Sequence, residues 1–418
     1  MSEEKLVPKL RFSGFDDEWK SFKLSEISKR ITRKNKSLET DRPLTISAQY
    51  GLVDQIEYFN KIVASKSLKG YYLLNKGEFA YNKSYSNGYP FGAVKRLDDY
   101  ENGAISTLYI CFNTNDKMNS DLLKEYFETD KWHKEIYKIA VEGARNHGLL
   151  NVAVGDFFNT KHVLPTNNHE QEKIAKFLIE INTKIDLLEN KHKAYQDFKK
   201  YLMQKIFAQE LRFDFDEIRL KSISKINKGK QLNKEHMLEI GKFYVLNGGQ
   251  KPSGYTDSWN TSENTITISE GGNSCGFVNF NTEKFWSGGH CYYLNKLSEN
   301  IDVYYLYSYL KFIEPQIMRL RVGSGLPNIQ KGDIENIKIK ILPKKEQIKI
   351  SNLLLSTDNK ISSIESQKDS FEIFKKGLLQ QMFVVRINWR CNFKLAKSPS
   401  FNKHLLILKN KIIFIIIK

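Results

Sequence analysis

Two stretches of the chain place apolar residues at alternating steps of three and four, with lysine, glutamate and asparagine between them. One runs from Glu170 to Phe207 and the other from Glu346 to Phe383. This spacing is typical of an amphipathic helix with one apolar stripe. Only Gly377 interrupts the pattern, near the end of the second stretch. At 1.5 Å per residue, we expect two helical rods, each roughly 60 Å long.

The second rod repeats the first in register. Both open on Glu-Gln and close on Phe-Lys-Lys, followed by Leu, Gln and Phe at matching steps. His192 and Lys368 place a polar residue in the apolar seam of each copy. Such a residue either fixes the register of a helix pair or marks a solvated bend, and we favour the bend. Because one rod is too narrow to bury its own stripe, we expect the two rods to pack together.

The repeat extends beyond the rods. Leu10-Arg11-Phe12 recurs as Leu211-Arg212-Phe213, and the segment 148–152 recurs as 325–329, in each case followed by Gly-Asp and later by Leu-Pro. The order is therefore globular unit, rod, globular unit, rod. We predict a first globular domain at 1–165, a rod at 166–208, a second globular domain at 209–343, a rod at 344–384 and a tail at 385–418.

Short strand-like runs with Gly-rich turns predict a mainly antiparallel sheet in each globular unit. The predicted strands are Gly70–Leu74, Ile105–Phe112, Asn264–Ile268 and His290–Leu294, and the predicted helices lie near 120–129 and 303–313. The fold class is thus α+β, with two similar α/β globular domains and two long helices that pair as an antiparallel coiled coil. The central parts of the two globular units differ in sequence, whereas the segments that begin and end the units are similar. This indicates one scaffold with two specificities.

The chain is basic, with a formal net charge of +17 and a pI near 9.3. This favours an acidic polymer as partner. About half of the excess positive charge lies after Val385, in a segment with about eight Lys or Arg residues and no Asp or Glu. We expect this tail to be poorly ordered and aggregation-prone. Its apolar run is too short to span a bilayer, and an interfacial membrane anchor is the lesser alternative.

No enzyme motif is evident. Gly271–Gly276 is glycine-rich but lacks the lysine and hydroxyl residue of a phosphate loop, and no His-Glu-x-x-His occurs. The four cysteines have no metal-ligand spacing. We therefore predict no catalytic residue, no bound metal and no cofactor on this chain. The opening Met-Ser-Glu-Glu-Lys does not read as a signal peptide, so we expect a cytoplasmic protein.

The ordered duplication over residues 8–384 resembles the specificity subunit of type I restriction–modification systems. The resemblance implies two target recognition domains, each reading one half of a bipartite double-stranded DNA site. It implies helices that set the half-site spacing and dock two methyltransferase subunits for adenine methylation. It also implies two restriction subunits for ATP-dependent cleavage, with S-adenosylmethionine, ATP and Mg used by the partners.

Candidate contact residues follow from their chemistry. Arginine suits guanine or phosphate and asparagine suits adenine, although a surface salt bridge or an Asn-Gly turn explains such residues about as well. The candidates for DNA binding are Lys83, Tyr85, Asn87, Arg145, Asn146, Lys251, Asn273, Ser274, Arg319, Arg321 and Ser324. The candidates for partner binding are Phe198, Lys199, Phe207, Phe374, Lys375 and Phe383.

Two alternatives remain open. One is a coiled-coil interaction scaffold that reads no DNA, and the other is a DNA-modifying enzyme whose motif is not recognisable. Affinity for S-adenosylmethionine in the isolated chain would favour the enzyme, and absence of DNA affinity in the complex would favour the scaffold.

Overall fold

The computed structural model divides into two compact units. Unit 1 comprises Met1–Leu187 with Lys368–Lys418, and unit 2 comprises Leu188–Gln367. The residues that the structure describes are 6–61, 63–65, 67–86, 88–140, 150–208, 216–323, 325 and 327–383. The predicted tail lies outside them.

In its described residues, unit 1 has ten short strands and five short helices, followed by the first long helix. The strands are β1 (Lys20–Lys23), β2 (Ser28–Arg30), β3 (Pro43–Ser47), β4 (Gly51–Asp54), β5 (Tyr72–Asn75), β6 (Phe79–Asn82), β7 (Ala93–Arg96), β8 (Asn102–Ile105), β9 (Ile110–Thr114) and β10 (Lys161–Leu164). The helices are α1 (Leu24–Ile27), α2 (Gln55–Phe59), α3 (Ser120–Phe127), α4 (His133–Ile139), α5 (Val154–Asn159) and the long α6 (Asn168–Phe207), whose second half belongs to unit 2.

Unit 2 has the same plan. Its strands are β11 (Asp216–Arg219), β12 (Lys225–Lys228), β13 (Phe243–Leu246), β14 (Gly254–Thr256), β15 (Thr265–Ser269), β16 (Val278–Asn281), β17 (Trp286–Ser287), β18 (Cys291–Asn295) and β19 (Lys338–Ile341). Its helices are α7 (Val303–Phe312), α8 (Glu314–Arg319), α9 (Lys331–Glu335) and the long α10 (Lys344–Met382), with 3-10 turns at Leu220–Ser222, Lys234–His236 and Gly272–Ser274.

The sheets of the two units have nearly the same topology, although β5 of unit 1 has no counterpart among the described strands of unit 2. A two-stranded ribbon, β1 with β10 or β11 with β19, closes each globular part next to the long helix. A four-stranded antiparallel sheet has the order β2-β9-β6-β7 in unit 1 and β12-β18-β15-β16 in unit 2. Each unit has a further sheet, with the order β4-β3-β8-β5 in unit 1 and β14-β13-β17 in unit 2. Each of these sheets contains one parallel pair, β3 with β8 or β13 with β17. The dissimilar middles therefore fold alike, and the predicted antiparallel character is confirmed apart from these two pairs.

One predicted strand was wrong in part. The run Ile105–Phe112 is divided, because β8 ends at Ile105 and β9 begins at Ile110. The Ser106 side chain accepts a hydrogen bond from Leu108 N, and the Ser106 carbonyl accepts one from Tyr109 N. A serine that satisfies the backbone locally favours a turn over a continuous strand. The predicted helices near 120–129 and 303–313 are confirmed as α3 and α7.

The long helices begin at sequence signals placed just before them. Asn167 accepts hydrogen bonds from His169 N and Glu170 N at the start of α6, and the Pro343 carbonyl accepts from Glu346 N and Gln347 N at the start of α10. These acceptors satisfy backbone donors that have no partner within a helix.

Each unit buries part of both helical stripes in its own core. In unit 1, Leu178 of α6 and Leu378 of α10 join a cluster that includes Trp19 and Trp132. In unit 2, Phe207 of α6 and Leu354 of α10 join a cluster that includes Tyr305. Since unit 1 holds the start of α6 with the end of α10, and unit 2 the converse, the helices pair antiparallel. The predicted fold class is confirmed.

Candidate nucleic-acid interface

Equivalent strands lead into the candidate loops of both units. Strands β6 and β15 occupy the same position in the two four-stranded sheets. The residue after β6 is Lys83, and the residue after β15 is Glu270. The residue at this point is therefore basic in unit 1 and acidic in unit 2. Loops fixed at the end of a rigid strand are where binding residues are usually placed.

In unit 1 the loop after β6 is a tight turn with exposed polar groups. Ser86 and Tyr89 form a β-bridge around Gly88, which has a φ of +82°. Tyr85 is 60% exposed, and the Lys83 carbonyl accepts a hydrogen bond of 3.0 Å from Leu150 N. This bond places the loop next to the closing segment of the domain. Asn87, Arg145 and Asn146 lie outside the described residues.

In unit 2 the equivalent loop is the 3-10 turn Gly272–Ser274. Gly272 has a φ of +74°, a conformation that side chains rarely adopt, and its N–H donates to Pro327 O at 3.0 Å. Ile329 N donates to Glu270 O at 2.8 Å. The turn is thus attached to the closing segment, as in unit 1. Asn273 is exposed and Ser274 is half-buried.

Two arginines lie close to the same turn. Arg319 is the exposed last residue of α8, and Arg321, also exposed, follows two residues later. The next residue, Val322, exchanges two backbone hydrogen bonds with Asn328 of the closing segment. Burial raises the pKa of the Cys275 thiol, which follows the turn, and the positive charge of Arg321 opposes that shift. Ser324 lies outside the described residues.

Lys251 is an exposed residue of the turn between β13 and β14. Asn247 of that turn accepts a hydrogen bond from His290 N at 3.2 Å, and the His290 carbonyl accepts from Glu270 N at 3.0 Å. The backbone of His290 therefore connects the Lys251 turn with the strand end that carries Gly272–Ser274. The structure thus gathers several of the candidate residues at one edge of unit 2.

A polar cluster around Glu270 was not predicted from the sequence. The Glu270 carboxylate accepts from Lys228 Nζ at 2.6 Å and from Tyr292 OH at 3.1 Å, and His290 Nδ1 lies 3.7 Å away. Burial, first, and the Glu270 charge, second, raise the pKa of Tyr292. Lys228 and His290 are more than half exposed. They belong to β12 and to the start of β18, so no local sequence pattern could have indicated the cluster.

The candidate residues for partner binding fall into two groups. Phe198 is 47% exposed on α6, whereas Phe207 and Phe383 are almost wholly buried in the cores of unit 2 and unit 1. Burial removes the latter two side chains from any surface offered to a partner. Phe374 is partly buried in the unit 1 core, and Lys199 and Lys375 form ion pairs within their own units.

Further apolar side chains are exposed on the long helices. Those of unit 1 are Ile179, Leu187 and Ile373, and those of unit 2 are Phe198, Tyr201, Ile348, Leu353 and Leu355. Contiguous apolar patches mark protein-binding surfaces, and these side chains are the candidates for such a patch on the long helices.

Among the described residues, no group of three or more His, Cys, Asp and Glu side chains is arranged to hold a metal ion. Within the same part of the chain, no helix has both the length and the apolar character required to cross a membrane.

Comparison with known proteins identifies the scaffold. Residues 213–372 match the model of the type I restriction modification DNA specificity domain. A putative type I specificity subunit of Mycoplasma genitalium is 35% identical over 147 residues, which cover 35% of this chain and 38% of the relative. The resemblance to type I specificity subunits is confirmed. The putative MjaX specificity subunit of Methanocaldococcus jannaschii is 24% identical over 287 residues, covering 61% of this chain and 65% of the relative.

The match to each of these two specificity subunits spans less than two thirds of the relative. The fold agrees over a longer stretch. The crystal structure of a type I restriction–modification S subunit from M. genitalium superposes with a TM-score of 0.63 at 20% identity, covering 91% of this chain and 99% of that one. The fold of type I specificity subunits therefore extends over both units of the chain.

Proposed function

We propose that the chain is the non-catalytic DNA specificity subunit of a type I restriction–modification complex, in which each globular domain reads one half of a bipartite site. The observation that carries this proposal is the pair of equivalent loops. The four-stranded sheet has the same strand order in both units, and the same strand end carries Lys83 in one unit and Glu270 in the other. Similar frames with different polar groups suit two readers of different sequences.

The chemistry of the loops fits the reading of a duplex. Arginine can bind guanine through two hydrogen bonds, and asparagine can do the same with adenine. Arg319, Arg321 and Asn273 are exposed close to one turn of unit 2. Lys251 and Lys228 are cations suited to phosphate contacts, which set the register on the duplex without reading its sequence.

The helix pair α6 and α10 has two roles in this proposed function. A rigid element between two readers fixes the distance between the half-sites, as dimer geometry does in other DNA-binding proteins. The exposed apolar residues of α6 and α10 dock two methyltransferase subunits. S-adenosylmethionine, ATP and Mg are then used by the methyltransferase and restriction subunits, which perform adenine methylation and ATP-dependent cleavage.

Single-molecule methylome sequencing tests this function. DNA from cells that carry the chain with its modification subunit is compared with DNA from cells that lack the chain. We expect a new split motif with methylated adenine on both strands. An assembled complex without any new motif would refute the reading function and favour a scaffold that binds no specific DNA. Methylation by the chain alone would favour an enzyme instead.

A further inference from the structure

The helix pair holds each globular domain through a repeated three-part contact, which we call the mounting junction. In unit 2 it joins Lys199 of α6, Asp358 of α10 and Tyr304 of the domain helix α7. Lys199 Nζ lies 2.6 Å and 2.7 Å from the two Asp358 carboxylate oxygens, and Tyr304 OH donates to the same carboxylate. All three side chains are largely buried.

In unit 1 the mounting junction joins Lys375 of α10, Asn182 of α6 and Glu125 of the domain helix α3. Asn182 Nδ2 donates to Glu125 Oε1 at 2.7 Å. Among the described residues, Glu125 Oε2 has no hydrogen-bond partner, and it lies 3.3 Å from Lys375 Nζ. Because Glu125 is only 1% exposed, the lysine charge is what compensates this buried carboxylate.

The two junctions are equivalent in the sequence repeat. Lys199 and Lys375 are the middle residues of the two Phe-Lys-Lys motifs, and Asn182 corresponds to Asp358 in the register that aligns Glu170 with Glu346. The acidic group has therefore changed sides. In unit 2 the carboxylate belongs to the helix pair, and in unit 1 it belongs to the domain.

A second contact lies three turns earlier on the same helix face in each unit. Gln171 Oε1 accepts from Asn119 N, the cap of α3, at 2.7 Å. Gln347 Oε1 accepts from Asp302 N, the cap of α7, at 2.9 Å. Gln171 precedes Asn182, and Gln347 precedes Asp358, by the same interval, which returns a residue to nearly the same helical face. Two points on one face define the direction of the domain helix.

We propose that Lys199 and Lys375 are positioning residues that hold each recognition domain at one angle to the helix pair and so restrict the half-site spacing that the subunit accepts. This inference rests on the proposed function. The domain helix already packs on the helix pair through the hydrophobic core and is attached near its N-terminal end by the glutamine contact. The mounting junction adds a second, directional polar contact further along the helix pair, with the acid placed on opposite sides in the two units.

The test measures methylation by the full chain assembled with its modification subunit. The substrates are duplexes with the native motif and with the spacer lengthened or shortened by one base pair. The variants are Glu125→Gln, Lys375→Gln and the double change Glu125→Gln with Asn182→Asp, which moves the acid to the position it has in unit 2. Lys376→Gln is the matched control, because Lys376 is the exposed neighbour in the same motif.

We expect both single variants to lower the preference for the native spacer at least about fivefold, with both half-site sequences unchanged. The double variant restores the preference, and Lys376→Gln leaves it as in the unaltered chain. If moving the acidic group to position 182 restores the spacer preference, the effect of the single variants is electrostatic and not a general loss of folding.

Two results would overturn the inference. One is an unchanged spacer preference in both single variants while the complex remains assembled. The other is a lower melting temperature without any change in that preference, because a merely structural pair behaves in this way. If the unaltered complex methylates no split motif, the proposed function itself fails, and the inference fails with it.

Discussion

At the scale of single residues, His162 is the clearest case of a group kept in one charge state. The ring is buried in unit 1, with Nδ1 3.1 Å from Tyr126 OH and Nε2 2.8 Å from Thr160 Oγ1. Thr160 already donates to Phe157 O, so its oxygen accepts from Nε2 and the neutral ring satisfies every partner. Burial lowers the pKa of His162 to about 4.

This depressed pKa makes the stability of unit 1 depend on pH. The unfolded state binds the extra proton between pH 6.5 and about 4, so stability is complete above that window and is lost as the pH falls through it. Unit 2 has Ile339 at the equivalent strand position. We expect His162→Ile to remove about 2 kcal/mol of the loss between pH 7 and pH 5, measured by urea unfolding. An unchanged pH dependence would contradict this.

Also at the residue scale, the account predicts which arginines read DNA. Arg321→Ala and Arg319→Ala are expected to weaken methylation of sites through the second half-site by about 5- to 150-fold, since each contact is worth about 1–3 kcal/mol. The matched control is Arg219→Ala, an exposed arginine on β11. Methylation rates on duplexes altered in one half-site provide the measurement. Equal effects of all three changes would indicate only a general loss of positive charge.

At the scale of elements, the repeated Glu-Gln is explained by its glutamine. Gln347 is fully buried, accepts from Asp302 N and donates to Leu342 O at 2.7 Å and Asn300 O at 3.1 Å. Gln171 makes the corresponding three hydrogen bonds in unit 1. One side chain thus joins the long helix, the strand before it and the cap of the domain helix.

We expect Gln347→Ala to lower the free energy of unfolding by about 2–3 kcal/mol, because it leaves buried backbone groups without partners. Gln380→Ala is the matched control, since Gln380 is an exposed glutamine on the same helix. Urea unfolding of the full chain measures both. A loss as large for Gln380 as for Gln347 would refute the assigned role.

The surface of the long helices makes a separate prediction. Phe198→Ser with Tyr201→Ser is expected to abolish co-purification with the modification subunit, because both side chains are exposed apolar groups on α6. The melting temperature should hardly change, since neither side chain is buried. Ile240→Ser, at a 90% exposed position of the globular part of unit 2, serves as control. Normal assembly of the double variant would place the dock elsewhere.

Some of these elements could be predicted from the sequence, and some of their contacts could not. The rods, α3 and α7 were predictable because their periodicity and caps are local signals. The division of the run Ile105–Phe112 depends on two hydrogen bonds of Ser106, which compete with a continuous strand. The roles of Lys199 and Lys375 were not predictable, because their carboxylate partners lie far along the chain and on different elements.

The candidate interface shows the same limit. A run of polar residues indicated the loop around Tyr85 and the turn Gly272–Ser274, and the structure places both at equivalent strand ends. The Glu270 cluster brings together Lys228 of β12, Glu270 directly after β15 and Tyr292 of β18. Only the register of the sheet makes these residues neighbours. A common topology beneath dissimilar sequences is likewise a property of strand pairing, which many alternating sequences satisfy.

At the scale of the whole molecule, the central claim is that two independent readers occupy one repeated scaffold. The measurement that tests it most directly is an exchange of residues 30–145 for the equivalent segment of another family member, followed by methylome sequencing of cells with the hybrid and its modification subunit. We expect one half of the split motif to change while the other half and the spacing stay the same. A change in both halves would show that the two domains do not read DNA independently.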